Sequence, residues 1–246
     1  MNGTSAHSGI HPNLEARIAA HVQAWEKLKR QPDHLHEQYP FVTISREYGC
    51  EGAALGRKLA ETLNERCRPS QLWVTYDNEL LDKVAAELHL QRDVLESIDG
   101  RRRDEMSEFF DAVLNKSVDD SVVVRRIGSV VRSLALHGHA ILIGRGSGLI
   151  THDLRTGLHV RLIAPIGWRA HKIQTLRNLS YADAEKAVLE GEGKRMRFIK
   201  TFFLPGVEST FHPDLIIDNS RFNLAQIAEI VFTALSARFG ETLVGA

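Results

Sequence analysis

A buried strand that runs through glycines into a helix constrains this chain more than any other stretch. Residues 41–59 read FVTISREYGCEGAALGRKL. FVTIS is short, apolar and β-branched, which suits a strand covered on both faces. Gly49 and Gly52 bracket a tight turn, and Leu55, Leu59 and Leu63 then recur at helical spacing. Such a corner is a place for an anion. Backbone N–H groups and the positive helix end converge there, and glycine lets a phosphate come close. The plainer alternative is an ordinary strand–turn–helix. The phosphate signature G-x-x-x-x-G-K-[ST] is not met, because Ala53 and Ala54 follow Gly52 with no lysine and no hydroxyl.

The rest of the chain alternates strand and helix patterns. QLWVT (71–75), AILIG (140–144), LHVRLIA (158–164) and DLIID (214–218) predict four further strands. Helices follow them, marked by Leu81, Val84, Ala85 and Leu88 after the second and by Leu224, Ile227, Val231 and Leu235 after the fifth. Before the third strand, Asp119 or Asp120 caps a helix striped by Val123, Ile127, Val130, Val131 and Leu134 and ended by Gly138. This order predicts an α/β fold with a parallel sheet and right-handed crossovers. Residues 167–203 read as two cation-rich helices joined near Asn178–Ser180, with Ser180 and Asp183 as a capping signature.

Open α/β sheets bind ligands beyond the C-terminal ends of their strands. Asp77 follows the second strand and is a site candidate, a helix N-cap, or both. Arg145 follows the third strand between Gly144 and Gly146, in a thin loop that lets it reach the crevice. The run Arg101–Arg103 is followed at once by Asp104 and Glu105 and reads as a solvated helix face.

Lys plus Arg number 31, as do Asp plus Glu, so no global basic field points to nucleic acid. Cys50 and Cys67 have no metal-ligand or disulfide spacing, and the 12 histidines form no convincing pair, so no metal site is assigned. No apolar run of about 18 residues predicts a membrane span, and no signal-peptide pattern opens the chain, which makes a cytoplasmic protein the expectation. Residues 1–40 read as a polar tail and an extra helix over 13–29, ahead of one domain over 41–246.

The stretches TISREYGCEG, YDNELLDKVA, ILIGRGSGLI and DLIIDNSRFN, in that order, resemble the cytidylate kinase-like family. The resemblance runs from Phe41 towards the C-terminus. It implies a P-loop kinase-like fold, a five-stranded parallel sheet flanked by helices with a helical lid at about 167–203. It implies ATP and Mg2+ as cofactors, nucleotide substrates, and transfer of a phosphoryl group to a nucleoside monophosphate, cytidylate being the named acceptor. Ser45, Arg46, Gly49, Glu51, Gly52 and Ala53 fall in the family's phosphate loop, and Asn219 and Ser220 near the donor base. Asp77 and Arg145 match acceptor-side positions, and Arg169 and Arg195 the lid arginines.

The departures bear on chemistry. Gly52 stands where authentic cytidylate kinases have a lysine, which the cytidylate kinase-like branch as a whole lacks; Glu51 stands where the family tends to have glycine, and Gly146 where an acid follows Gly-Arg in authentic cytidylate kinases. A helix terminus supplies about 0.3–1 kcal/mol, whereas an arginine at the transferring phosphate is worth about 10³–10⁵ in rate. Catalysis therefore needs a cation, and Arg46 is the one on the loop itself. Asp77 and Glu51 are the acids placed near it. Three outcomes stay open: a cytidylate-type kinase, a nucleotide-binding module without transfer, and a kinase for another small molecule.

Overall fold

The structure, a computed structural model, describes residues 39–79, 81, 109–111, 114, 121–207 and 211–243. The helix expected over 13–29, the run Arg101–Arg103 and the caps Asp119 and Asp120 lie outside the described residues.

The opening stretch folds as its pattern dictates. β1 spans Phe41–Arg46, and α1 spans Gly52–Cys67. Phe41, Val42 and Ile44 are fully buried, as are Leu55, Leu59 and Leu63, which stand one turn apart along the inner face of α1. Each such side chain contributes about 1.5–3 kcal/mol on burial. Gly56 lets α1 lie close on the sheet, since a Cβ there would sit 2.7 Å from Ile143 Cδ1 and 2.8 Å from Thr75 Cγ2.

β2 is shorter than expected and displaced, at Val74–Tyr76. The reason lies in Trp73. Its N–H donates to Asn64 Oδ1 at 2.7 Å, and its carbonyl accepts from Asn64 Nδ2 at 3.1 Å. A side chain of α1 thus takes both backbone groups that the ladder would have used.

α2 spans Ser121–His137, β3 Ala140–Ile143 and α3 Ser147–Ile150. β4 spans Gly157–Ile163, and β5 Leu215–Asp218 precedes α6, Leu224–Leu243, which kinks at Phe239. Between β4 and β5 stand α4, Ile166–Arg177, and α5, Tyr181–Phe202. Asn178 ends α4 in the left-handed conformation, and Ser180 caps α5 by accepting from the N–H of Asp183 at 3.2 Å. The hairpin has a small core of its own, Ala170 and Ile173 against Ala184 and Val188.

All five strands are parallel, in the order β2-β3-β1-β4-β5. β1 is central, with β3 on one flank and β4 on the other. One face of the sheet is covered by α1 and α6, with Ile227, Val231 and Leu235 fully buried among β1, β3, β4 and β5. α2 packs on β3, and α3 on β1 and α2. Because the strands are parallel, their C-terminal ends lie along one edge, and the α4–α5 hairpin leaves from that edge. The expected five-stranded parallel sheet flanked by helices is the fold that forms.

Candidate active site

The loop between β1 and α1 closes on itself and on distant elements. The N–H of Glu47 extends the ladder to the Leu162 carbonyl at 3.0 Å, and the N–H of Cys50 donates to the Glu47 carbonyl at 3.1 Å. Two other loop amides go to groups far along the chain. The N–H of Tyr48 donates to Glu192 Oε2 at 3.0 Å, and that of Glu51 to Asn219 Oδ1 at 2.9 Å. Gly49 has φ +97°, and a Cβ there would stand 2.8 Å from Arg169 Cβ. Conformation and space both require glycine at this point.

Arg46 leaves the end of β1 and lies across the start of α1. A Cβ on Gly52 would be 3.2 Å from Arg46 Cδ. Arg46 therefore fills the space into which a longer side chain at Gly52 would grow. Its guanidinium abuts Gly144. With the Asn78 amide oriented to satisfy both neighbours, Asn78 donates to the Ile143 carbonyl at 2.9 Å and accepts from Arg46 Nη2 at 3.3 Å. Burial pushes the Arg46 pKa below its ordinary value, the charges of Arg145 and Arg195 push it further, and Asp77 opposes them. Those shifts place Arg145, Arg195 and Asp77 within electrostatic reach of Arg46.

Arg145 sits in a stretch of three consecutive positive φ angles: Gly144 at +74°, Arg145 at +50° and Gly146 at +69°. Its guanidinium carbon is 5.7 Å from the centre of the Phe198 ring on α5. A Cβ on Gly146 would meet Phe203 Cζ at 2.5 Å, so the acid expected there has no room. Asp77 caps a helical turn, its carbonyl accepting from the Leu81 N–H at 2.9 Å. It thus combines a cap position with proximity to Arg46.

The hairpin arginines differ from Arg46. Arg169 donates through Nε to the Ala164 carbonyl at 2.9 Å and through Nη1 to the Tyr48 carbonyl at 3.2 Å, and pairs with Glu47 at 3.5 Å. Arg195 is held by Glu192, with Nε 2.7 Å and Nη2 2.5 Å from Oε1. Ser45 donates its hydroxyl to the Val160 carbonyl at 3.2 Å, and Ala53 packs against the core.

Beside the loop lies a cleft of about 710 Å³ lined by Glu51, Trp168, Lys172 and residues 219–226. The Glu51 carboxylate pairs with Lys172 at 3.2 Å, so its charge is opposed on the cleft side. Asn219 is buried, and its Nδ2 has no hydrogen-bond partner among the described residues. Ser220 donates from N–H and hydroxyl to Asp218 Oδ1 at 2.9 and 2.6 Å.

The family model of the cytidylate kinase-like family matches residues 41–221. The chain belongs to that family. Its fold is P-loop kinase-like, as membership implies. Among solved structures, an uncharacterized protein from Eubacterium ventriosum is similar at TM-score 0.61 and 15% identity, covering 82% of this chain and 100% of that one. Shikimate kinase from Bacteroides thetaiotaomicron matches at TM-score 0.44 and 15% identity, over 80% of this chain and 98% of that one. No curated protein matches in sequence.

Set against authentic cytidylate kinases, the arrangement departs at the lysine position. The space there belongs to Arg46. Sequence reasoning overlooked Tyr48, Asn78, Trp168 and Glu192. Tyr48 stood inside the quoted SREYG stretch, and Glu192 precedes Arg195 by three residues, the spacing of a helical ion pair. No group of three or more His, Cys, Asp or Glu able to hold a metal occurs among the described residues. Asp77, within electrostatic reach of Arg46, and Glu51, paired with Lys172, are the two carboxylates expected near a phosphate-bound Mg2+. No helix among the described residues is long and apolar enough to cross a membrane.

Proposed function

We propose that the protein transfers the γ-phosphoryl of ATP, as its Mg2+ complex, to a nucleoside monophosphate, with cytidylate as acceptor. One observation carries this reading. Arg46 lies over the first residue of α1, where authentic cytidylate kinases carry a lysine, with the fields of Arg145 and Arg195 converging on it. Phosphoryl transfer needs positioning and a cation against the developing charge, and little else from the protein.

In this reading Gly49, Glu51, Gly52 and Ala53 form the phosphate loop, extended from β1 by Ser45. Arg46 supplies the charge. The donor base enters the cleft bounded by Asn219, Ser220 and Trp168. Arg145 and Asp77 face the acceptor, and Arg169 and Arg195 act from the hairpin as its lid. Mg2+ supplies additional charge at the phosphates.

A coupled ADP-release assay with ATP and a panel of nucleoside monophosphates tests the proposal. Turnover that depends on cytidylate is the expected result. The absence of acceptor-dependent turnover above background removes the reading. A second reading, a kinase for another small molecule, is favoured by Gly146, whose contact with Phe203 excludes the acid of authentic cytidylate kinases. Widening the panel to sugars and small acids separates the two.

A further inference from the structure

Glu192 occupies a set of donors that would also suit a phosphoryl group. Its Oε2 accepts the Tyr48 N–H of the loop at 3.0 Å, and its Oε1 accepts from Arg195 Nε at 2.7 Å. A backbone N–H together with an arginine fork is the donor set that binds phosphate oxygens as well as carboxylates. Burial alone would raise the carboxyl's pKa, but the bonds from Arg195 and from Tyr48 N–H hold it below its ordinary value. Arg169 adds to that effect, and Arg195 in turn bears on Arg46. A carboxylate thus lies among the cations that the phosphotransfer reading assigns to ATP.

The contact is not what holds the loop to the hairpin. The Tyr48 ring lies directly on Gly191 and joins the hairpin's own core. Its hydroxyl accepts from Arg177 Nη2 at 2.7 Å, and its carbonyl accepts from Arg169. With these anchors in place, the loop stays docked if Glu192 loses its charge.

We propose that Glu192 is a resident anion that the phosphoryl chain of the donor displaces, so that phosphate binding frees both the Tyr48 N–H and Arg195. The inference rests on the phosphotransferase reading and adds an affinity-setting residue to it. Displacement makes the open site a fraction of the free population, and apparent affinity falls by that fraction.

The test is calorimetric titration of wild type, E192Q and E192D with tripolyphosphate and with ATP, alongside thermal melts and the turnover assay. E192Q keeps the shape and removes the charge, while E192D keeps the charge one methylene short of the loop. Both are expected to bind tripolyphosphate about tenfold more tightly than wild type, as relief of an internal competitor predicts. Unchanged or weaker binding in folded E192Q and E192D, with wild type still binding and turning over, overturns the role of Glu192 and leaves the kinase reading intact. Failure of wild type and both variants to bind either ligand overturns both.

Discussion

On the β4 flank of β1, Arg169 is tied to the carbonyls of Ala164 and Tyr48 and paired with Glu47. On the β3 flank, Arg46 is as deeply placed but stands among Arg145 and Arg195, with Asp77 and the Asn78 oxygen opposing them. The first arginine is bonded to protein groups around the loop. The second is buried and held near like charge, and burial first, then Arg145 and Arg195, lower its pKa. Like charges gathered at the C-terminal end of a parallel sheet suit an anion that arrives from outside. The difference between the flanks separates an arginine that builds the loop from one that serves it.

The comparison breaks most visibly at Arg46. R46A should reduce turnover by about 10³, or roughly 4 kcal/mol of transition-state stabilisation. Its melting temperature should barely move, since removing Arg46 also removes its repulsion with Arg145. The coupled assay and a thermal melt read the two effects separately. A loss below tenfold would take Arg46 out of the mechanism.

Arg169 should show the reverse. R169A takes the donor from the Ala164 and Tyr48 carbonyls and the cation from beside Glu47, whose carboxylate keeps the Ala164 N–H, and leaving such part-buried acceptors unpaired costs about 1–3 kcal/mol. Denaturant unfolding should show that loss of stability, while turnover of the folded fraction falls less than in R46A. If R169A unfolds like wild type but loses turnover as R46A does, the two arginines share one role and the contrast fails.

The flanks differ again at their buried histidines. His159 on β4 meets Thr43 Oγ1 at 2.8 Å across the strand pair. His139, just before β3, is packed between Tyr39 and Trp73, at ring distances of 4.7 and 5.3 Å, and neither ring nitrogen has a hydrogen-bond partner among the described residues. Burial is the leading cause that pushes both down to about 4, with Asp214 opposing it at His159. Both rings are therefore neutral in the fold at neutral pH. The unfolded chain takes up its protons first as pH falls below about 6.5. Stability is full above that value and is lost as pH falls towards the folded pKa, by about 2 kcal/mol per ring on reaching pH 5. H139N suits the positive φ of residue 139 and removes one titrating ring. It should shed about half of this pH slope in urea unfolding, and an undiminished slope would mean that His139 does not titrate across this range.

The sheet was legible because its strands and helices carry strong periodicity. Leu55, Leu59 and Leu63 announced α1, and Ser180 with Asp183 announced the break between α4 and α5. β2 was misplaced because the side-chain bonds from Asn64 reach Trp73 from the preceding helix and leave no mark on local pattern. The loop glycines could be found, and so could the arginines at strand ends. What the sequence did not reveal was partnership. Nothing local says that Glu192 reaches Tyr48, that Asn219 takes the Glu51 N–H, or that Phe203 forbids a side chain at Gly146. Such contacts join residues far apart in the chain, and only the folded sheet brings their elements to one edge.

The smallest effect expected is at Lys172, on the rim beyond the bonded flank. Its ion pair with Glu51 is largely solvated, the side chains being 44% and 31% exposed, and Lys172 also lies 5.0 Å from the Trp168 ring centre. Exposed pairs of this kind contribute about 0–1 kcal/mol. K172M should therefore leave the melting temperature almost unchanged. Its effect on ATP should exceed its effect on stability, because Glu51 would then present an unopposed charge to the donor phosphates. A titration of K172M with ATP decides whether that charge matters. Weakening that is relieved in the double variant K172M/E51Q assigns the cost to Glu51. Equal affinity in all three proteins would place the phosphates away from the Glu51 side of the loop, and would leave the Arg46 flank to carry their recognition.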